Sequence, residues 1–348
     1  MNSSLASPHN TPIAISRNIS LRALNTFGIE AQADAYLAVH SKDDLAALRA
    51  DPALSRLPKL LLGGGSNILL TGDFHGLVLH SCSRGIRIVA QDADTIQVCA
   101  AAGESWQALV DWTLQHQIGG LENLSLIPGS VGAAPIQNIG AYGAEVANTI
   151  TAVSVFDFET GTCKTLDRAA CAFGYRDSVF KRSLRDRVMI LDVTFALPRH
   201  WHANLRYAEL ADAVSAITAP TMQQISDAVC AIRRRKLPDP KQIGNAGSFF
   251  KNPVVTKVHR DRLLLRDPAL VNHDQPDGSV KLAAAWLIDQ CGWKGRSLGA
   301  AGVHERQALV LVNRGNARGS EIVQLAQSIA ADVRQRFEVA LEVEPVII

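Results

Sequence analysis

Between Gly119 and Gly143 the chain reads GGLENLSLIPGSVGAAPIQNIGAYG, with six glycines, two prolines and a single charged residue, Glu122. So little side-chain bulk leaves backbone N–H groups open to a close-lying partner. Glycine also allows the positive φ values that aim successive N–H groups at one anion. The chemistry this suits is the holding of a phosphate-bearing cofactor, with Gly132 as a point of close approach. A second small-residue loop, Gly63-Gly64-Gly65-Ser66-Asn67, follows the apolar run Lys59 to Leu62. It offers a phosphate-approach geometry but has neither GxGxxG spacing nor a Walker lysine. Each loop has an ordinary alternative: an Ω-like loop packed on its own side chains for the first, a tight turn for the second.

Four further features could do chemistry. Ser248 lies in GNAGSFFKNP between glycine-flanked turns, beside Lys251 and Asn252; it can act as a proton donor or as a turn serine bonded to its own backbone. Arg176 carries a planar fork suited to a carboxylate, but Asp177 beside it is an obvious surface partner. Arg233, Arg234, Arg235 and Lys236 end a helix just before LPDP, where cations suit the macrodipole as well as they suit an anionic ligand. In the final run EVALEVEPVII, Glu342 and Glu344 are expected to point away from Val339, Leu341 and Val343.

The elements that must position these groups follow from pattern. SKDDLAALRA reads as a helix capped by Ser41, Lys59 to Leu62 as a strand, and LVLHS, GIRIVA and TIQVCAAAG as strands with a turn at Asp92 to Asp94. In ESWQALVDWTLQHQ, Trp106, Leu109, Val110 and Leu114 share a helical face, with Ser105 as cap. TAVSVFDF turns at Glu159-Thr160-Gly161 into TCKTLD, a short polar helix follows, and RVMILDVTFALP is a buried strand. Thr221 and Gln224 form a capping box, Ser279 caps a helix KLAAAWLIDQCG, and Gln307 to Asn313 is a strand. Ser320 starts a helix with Ile322, Leu325, Ala326, Ile329 and Val333 on one face, and the C-terminal run is a strand. Strand runs with helices apart from them indicate an α+β fold rather than a repeated βαβ array.

Composition bounds the function classes. The chain has 348 residues, enough for two domains, and a formal charge of +2, too small for a general nucleic-acid surface. No apolar run is long enough to span a bilayer and the N-terminus has no signal-peptide pattern, so a cytoplasmic location and a mobile tail over 1–20 are expected. The six cysteines are scattered without a CxxC pair, which points to buried reduced thiols and to neither a zinc site nor a disulfide framework.

Seven motifs, in order, carry a resemblance: Asn25-Thr26-Phe27-Gly28, GGGSN, LENLSLIPGSVGAAPIQNIGAYG, FGYRDS, KLPDP, GNAGSFFKNP and DGSVKLAAAWLIDQC. From about residue 21 to the C-terminus the chain closely resembles the UDP-N-acetylenolpyruvoylglucosamine reductase family of bacterial peptidoglycan synthesis. The resemblance implies a two-lobed FAD-binding domain of the vanillyl-alcohol-oxidase (PCMH) type over 21–200. A smaller α+β substrate-binding domain over 201–338 and a C-terminal strand, 339–348, returning to the active site would follow. It implies non-covalent FAD, NADPH as co-substrate, a UDP-sugar enolpyruvyl ether as substrate, and a monomer. Carried onto this sequence, the general acid is Ser248, the arginine Arg176 and the C-terminal glutamate Glu344, with Glu342 a neighbouring alternative. Substrate contacts fall on Tyr207, Lys236, Asn252 and Gln307, and His273 stands where some relatives have a lid tyrosine. The cofactor residues are Gly63, Gly64, Gly65, Ser66, Asn67, Asn123, Pro128, Gly129, Gly132, Ala133, Gln137, Asn138, Gly140, Ala141 and Tyr142.

The implied reaction reduces a vinyl ether conjugated to a carboxylate. Charge developing on that carboxylate needs a fixed cation or donor, which Arg176 could be. A glutamate beside a carboxylate substrate makes sense if a dry site raises its pKa. Two rivals carry different chemistry: an FAD oxidase, weakly disfavoured because the glycine-rich loops lack a His or Cys for covalent attachment, and a nucleotide-sugar-binding protein without flavin.

Overall fold

A computed structural model describes residues 13–348. The first lobe is a four-stranded sheet in the order Ser16–Ser20, Gln32–Val39, Phe74–Ser81, Lys59–Leu62. Its last three strands run parallel, while Ser16–Ser20 is antiparallel. The helix Lys42–Ala50 makes the crossover, and its start is fixed by a capping box between Ser41 and Asp44. The expected tail therefore ends sooner: Ile13 and Ile15 already pack on a core cluster and residues 16–20 pair in the sheet, while residues 1–12 of that tail lie outside the described residues.

The second lobe is a five-stranded antiparallel sheet: Thr162–Asp167, Ile150–Asp157, Val188–Pro198, Thr95–Ala101, Ile86–Gln91. The hairpin turns fall where expected, at Asp92 to Asp94 and at 159–161. The helix Trp106–Gln115 covers one face, its Trp106 ring edge-on to Phe195 at 6.0 Å. Ser105 makes no capping bond. It bridges instead to Ser130, and the Gly129 carbonyl accepts the Trp106 N–H at 3.0 Å, so the glycine-rich stretch itself caps this helix. The expected polar helix after Asp167 is a turn.

Two helices, Ala208–Ala213 and Met222–Lys236, then pack Leu210, Ile225, Val229 and Ile232 against Tyr142 and Trp201 of the second lobe. Beyond them a four-stranded sheet, Gly244–Ser248, Val310–Asn313, Ala301–Val303 and Ser297–Leu298, packs with Lys257–Arg266, Ala284–Gln290 and Gly319–Phe337. On the last helix Ile322, Leu325, Ala326, Ile329 and Val333 are all buried, as their spacing requires; each large aliphatic contributes about 1.5–3 kcal/mol.

Three expected boundaries move. Val280–Leu282 is a strand, so the helix begins at Ala284 and Ser279 bonds Asp277 rather than capping it. The strand expected from Gln307 starts at Val310, because Gln307 closes a turn with its carbonyl to the Val310 N–H. Only Val346–Ile347 of the C-terminal run pairs in a regular strand, parallel to Ile68–Leu69, because the backbone changes partner at Glu344. All six cysteines are free; Cys99, Cys171 and Cys230 are buried, whereas Cys163 is exposed.

Candidate active site

The two small-residue loops face one another. A Cβ at Gly64 would come within 2.9 Å of the Gly129 Cα, one at Gly63 would strike the Ser130 hydroxyl, and one at Gly65, φ +60°, would strike the Leu24 carbonyl. Glycine is therefore demanded at Gly64 and Gly65 by the closeness of another backbone, and at Gly63 by a buried side chain. Side chains then tie the loops together, Ser66 Oγ donating to the Pro128 carbonyl at 3.2 Å and Asn67 Nδ2 to Gln137 Oε1 at 2.7 Å.

Between the loops runs a cleft in two connected parts of about 290 and 200 Å³. Gly63, Gly64, Gly65, Ser66, Asn67, Pro128, Ala133, Gln137 and Gly140 line the larger part, and Gly132 the smaller. Gly129 opens instead onto an adjoining groove. Close packing already requires glycine at 132, since a Cβ there would lie 2.6 Å from the Ala102 Cβ. Asn123, Asn138, Ala141 and Tyr142 stand behind the wall. Asn123 Nδ2 joins the carbonyls of Tyr142 and Asn204, both at 2.8 Å.

The cleft suits a diphosphate-bearing group held without a covalent bond. The buried Ser130 Oγ has no hydrogen-bond partner among the described residues, a state that a ligand oxygen would relieve. The lining is rich in open backbone and cations, and contains no His or Cys.

At one end of the cleft the glycine-rich stretch meets the tight turn Gly174 to Asp177. Asn138, at φ +46°, is the joint: its Nδ2 donates to Glu145 Oε2 at 2.8 Å and to the Gly174 carbonyl at 3.0 Å, while its Oδ1 accepts the Ala147 N–H. Arg176 sits at the turn's tip with φ +54°, a costly conformation for a side chain of this size. Its guanidinium donates to the Gly140 carbonyl at 2.8 Å and its Nε lies 3.3 Å from Glu344 Oε1. Asp177 is not its partner; that carboxylate takes Arg182 at 2.9 Å.

Burial pushes the Glu344 carboxyl above its ordinary value, while Arg176, then Lys181 and Lys251, pull it back. Glu342 has a different setting: its side chain is 71% exposed and paired with Lys251, whereas that of Glu344 is 12% exposed. The expected alternation fails because the Glu344 N–H bonds the Phe249 carbonyl while the Val346 N–H has moved on to Asn67.

Ser248 enters the cavity from the C-terminal sheet. A bulge between Asn245 and Ser248, with Gly247 at φ +70°, breaks the register against Val310–Asn313, and Ser248 lines the same cavity as Arg176 and Glu344. Two further cations line this space: Arg233, one of the four at the helix end noted from sequence, and Lys181, which no motif marked. Arg233 donates Nε to the Leu126 carbonyl at 3.2 Å, and burial lowers its pKa. Lys181 follows Arg176 by five residues. Arg233 was legible in principle, one turn beyond Val229 on the helix's apolar face; for Lys181 no spacing signalled it.

The expected substrate contacts are less gathered. Lys236 is ion-paired with Glu209, which also takes Arg235 at 2.7 Å. Tyr207 is exposed and meets the Tyr142 ring edge-on at 5.1 Å. Asn252 Oδ1 accepts the Ala284 N–H at 3.0 Å, Gln307 closes its turn, and His273 is exposed on a three-stranded sheet. The adjoining groove, about 1440 Å³, is lined by Arg22, Arg233, Arg234, Arg235, Lys241 and Arg306.

Comparison with known proteins supplies the remaining findings. Residues 239–348 match the model of the UDP-N-acetylenolpyruvoylglucosamine reductase C-terminal domain, and residues 33–167 that of an FAD binding domain. A UDP-N-acetylenolpyruvoylglucosamine reductase of Paraburkholderia xenovorans is 54% identical over 330 residues, 94% of this chain and 95% of the relative. Another, of Burkholderia orbicola, is 53% identical over 343 residues, 97% of this chain and 98% of the relative. The crystal structure of UDP-N-acetylenolpyruvylglucosamine reductase from Thermus caldophilus superposes with a TM-score of 0.67 at 21% identity, covering 96% of this chain and 99% of that one.

Proposed function

The chain belongs to the UDP-N-acetylenolpyruvoylglucosamine reductase family, an FAD-dependent oxidoreductase family, and from that premise we propose a specific reaction. NADPH is the electron donor, UDP-N-acetylglucosamine enolpyruvate is reduced to UDP-N-acetylmuramate, and Ser248 donates the proton that completes the reduction. The observation that carries this reading is the convergence of Arg176, Glu344 and Ser248 on one cavity whose other wall is the glycine cradle.

FAD, when bound, supplies the two-electron chemistry. Gly63 to Asn67, Pro128 to Ala133 and Gln137 would hold it. Arg176 has the job of meeting the substrate carboxylate as its charge grows, and the carbonyls of Gly140 and Asn138 aim its fork beforehand. Glu344 restrains the same guanidinium from the far side. With its carboxyl pushed up by burial, it can sit near a second carboxylate at less electrostatic cost. Ser248 would hold its proton at Oγ in the same cavity, for donation to the reacting carbon. The basic groove suits the diphosphates of both NADPH and the nucleotide sugar, and Lys236 could join them by exchanging Glu209 for phosphate.

The test is a two-step anaerobic titration of the purified full-length chain. NADPH should bleach the bound flavin, and UDP-N-acetylglucosamine enolpyruvate should restore its colour. A colourless protein that takes up no FAD overturns the reading. Recolouring by oxygen but not by the enolpyruvyl ether assigns an FAD oxidase instead.

A further inference from the structure

Lys181 is the one charged side chain, among the described residues, that lines both parts of the cleft. It ends the short turn Val179–Lys181, which is well anchored: Phe180 is buried, and Ser178 Oγ donates to the Ile136 carbonyl at 2.5 Å while accepting the Phe180 N–H. The turn thus fixes the Lys181 backbone against the glycine-rich stretch.

That ammonium is underused by the protein. Its Nζ donates to the Arg176 carbonyl at 3.2 Å, which leaves two of its three N–H donors to be satisfied. Among the described residues no carboxylate approaches it to ion-pair distance, and the three nearby are engaged elsewhere: Asp177 with Arg182, Glu342 with Lys251, Glu344 with Arg176. Burial lowers its pKa, with Lys251 adding to the effect, so the charge is held at some cost. A cation kept in a cleft at a cost, with donors to spare, calls for an anion that arrives from outside.

We infer that Lys181 is the cofactor-facing cation of this site, its ammonium donating to an anionic group of bound FAD. The inference rests on FAD binding in this cleft and goes beyond it by assigning the charge partner. Two groups on that cofactor share the required chemistry: the diphosphate, and the ring once reduction has given it negative charge.

Holoenzyme carrying Lys181→Met or Lys181→Arg separates them, with Lys181→Gln in reserve if the methionine variant does not fold. The readouts are the FAD dissociation constant by fluorescence and the two-electron midpoint potential by dye-coupled titration. A diphosphate contact predicts that Lys181→Met weakens FAD binding roughly 10- to 100-fold in both redox states, leaving the potential unchanged. A ring contact predicts selective loss of the reduced state, a tenfold effect there lowering the potential by about 30 mV. Lys181→Arg should restore most of either effect. Unchanged FAD affinity and potential, with only turnover reduced, would overturn the inference and leave Lys181 as a brace for the Arg176 turn. If the unsubstituted chain itself binds no FAD, the cofactor assignment fails rather than this choice of residue.

Discussion

Ser248 reaches the cavity because a single extra residue interrupts its strand, and Gly247 takes the left-handed conformation that the interruption needs. If its hydroxyl is the proton donor, the two halves of the cycle should respond differently to its loss. In Ser248→Ala, flavin reduction by NADPH should proceed near the normal rate. Reoxidation by the enolpyruvyl ether should slow about 10²- to 10⁴-fold, or ~3–5.5 kcal/mol of barrier. Ser248→Cys should recover part of the loss, since a thiol gives up its proton more readily. Stopped-flow traces of each half-reaction decide the matter, and equal slowing of both would point to a structural role. Glu344 lends itself to a pH test. Its folded-state pKa lies above the ordinary glutamate value, mainly through burial, so the native state binds more protons than the unfolded chain as pH rises past that ordinary value. The stability linked to this group is fully present below the ordinary range and is lost as pH climbs through the raised value. Glu344→Gln removes the dependence. The variant's melting temperature relative to the unsubstituted chain should therefore increase from acid toward neutral pH, and a flat difference would mean the carboxyl is not shifted.

At the scale of elements, the arginine is aimed by its neighbours. The Gly174 to Asp177 turn holds Arg176 at φ +54°, and Asn138 ties the glycine-rich stretch to that turn through its bond to the Gly174 carbonyl, with two further side-chain bonds to Glu145 and Ala147. Asn138→Ala leaves the Ala147 N–H and the Gly174 carbonyl without these partners. About 1–3 kcal/mol of stability should be lost for each group left buried and unpaired. Because the cradle loops keep their own ties, kcat should fall more than FAD affinity, as steady-state kinetics and flavin titration on one preparation would reveal. An equal loss of both would show that the joint serves the cofactor rather than the arginine.

Across the whole molecule, the first lobe and the C-terminal domain share one hydrophobic core. Phe27, Leu62, Leu69 and Leu70 pack in the same cluster as Phe249, Phe250, Leu325 and Phe337, while the second lobe has its own. The C-terminal residues reinforce this union, Val346–Ile347 pairing with Ile68–Leu69 and Ile348 accepting the Thr71 N–H at 2.7 Å. The cleft lies where these two bodies face the second lobe, so FAD bound there would bridge them and should stabilise their arrangement. At FAD a hundredfold above its dissociation constant, linkage predicts about 2.7 kcal/mol of added stability. Denaturant unfolding of apo and reconstituted protein measures it; no shift would place FAD outside the folded cleft.

Local pattern alone determined a good deal of this protein. Capping at Ser41 and Thr221 and the buried face of the Gly319–Phe337 helix depend on residues a few positions apart, so propensity and periodicity expose them. The glycine loops were legible for a related reason, since a residue without a Cβ records how close another backbone must come. Which neighbour that is was not written locally: the close partner at Gly132 is Ala102, thirty positions earlier in the chain. Pairing at long range was equally hidden. Arg176 stands next to Asp177 in the chain yet meets Glu344, 168 positions away, and Lys236 meets Glu209. The choice between Glu344 and Glu342 turned on the backbone changing partners between Phe249 and Asn67, which no alternation pattern encodes. Lys181 was invisible for the same physical reason. A lysine's role depends on which charges fold around it, and only the tertiary structure assigned every nearby carboxylate to another cation.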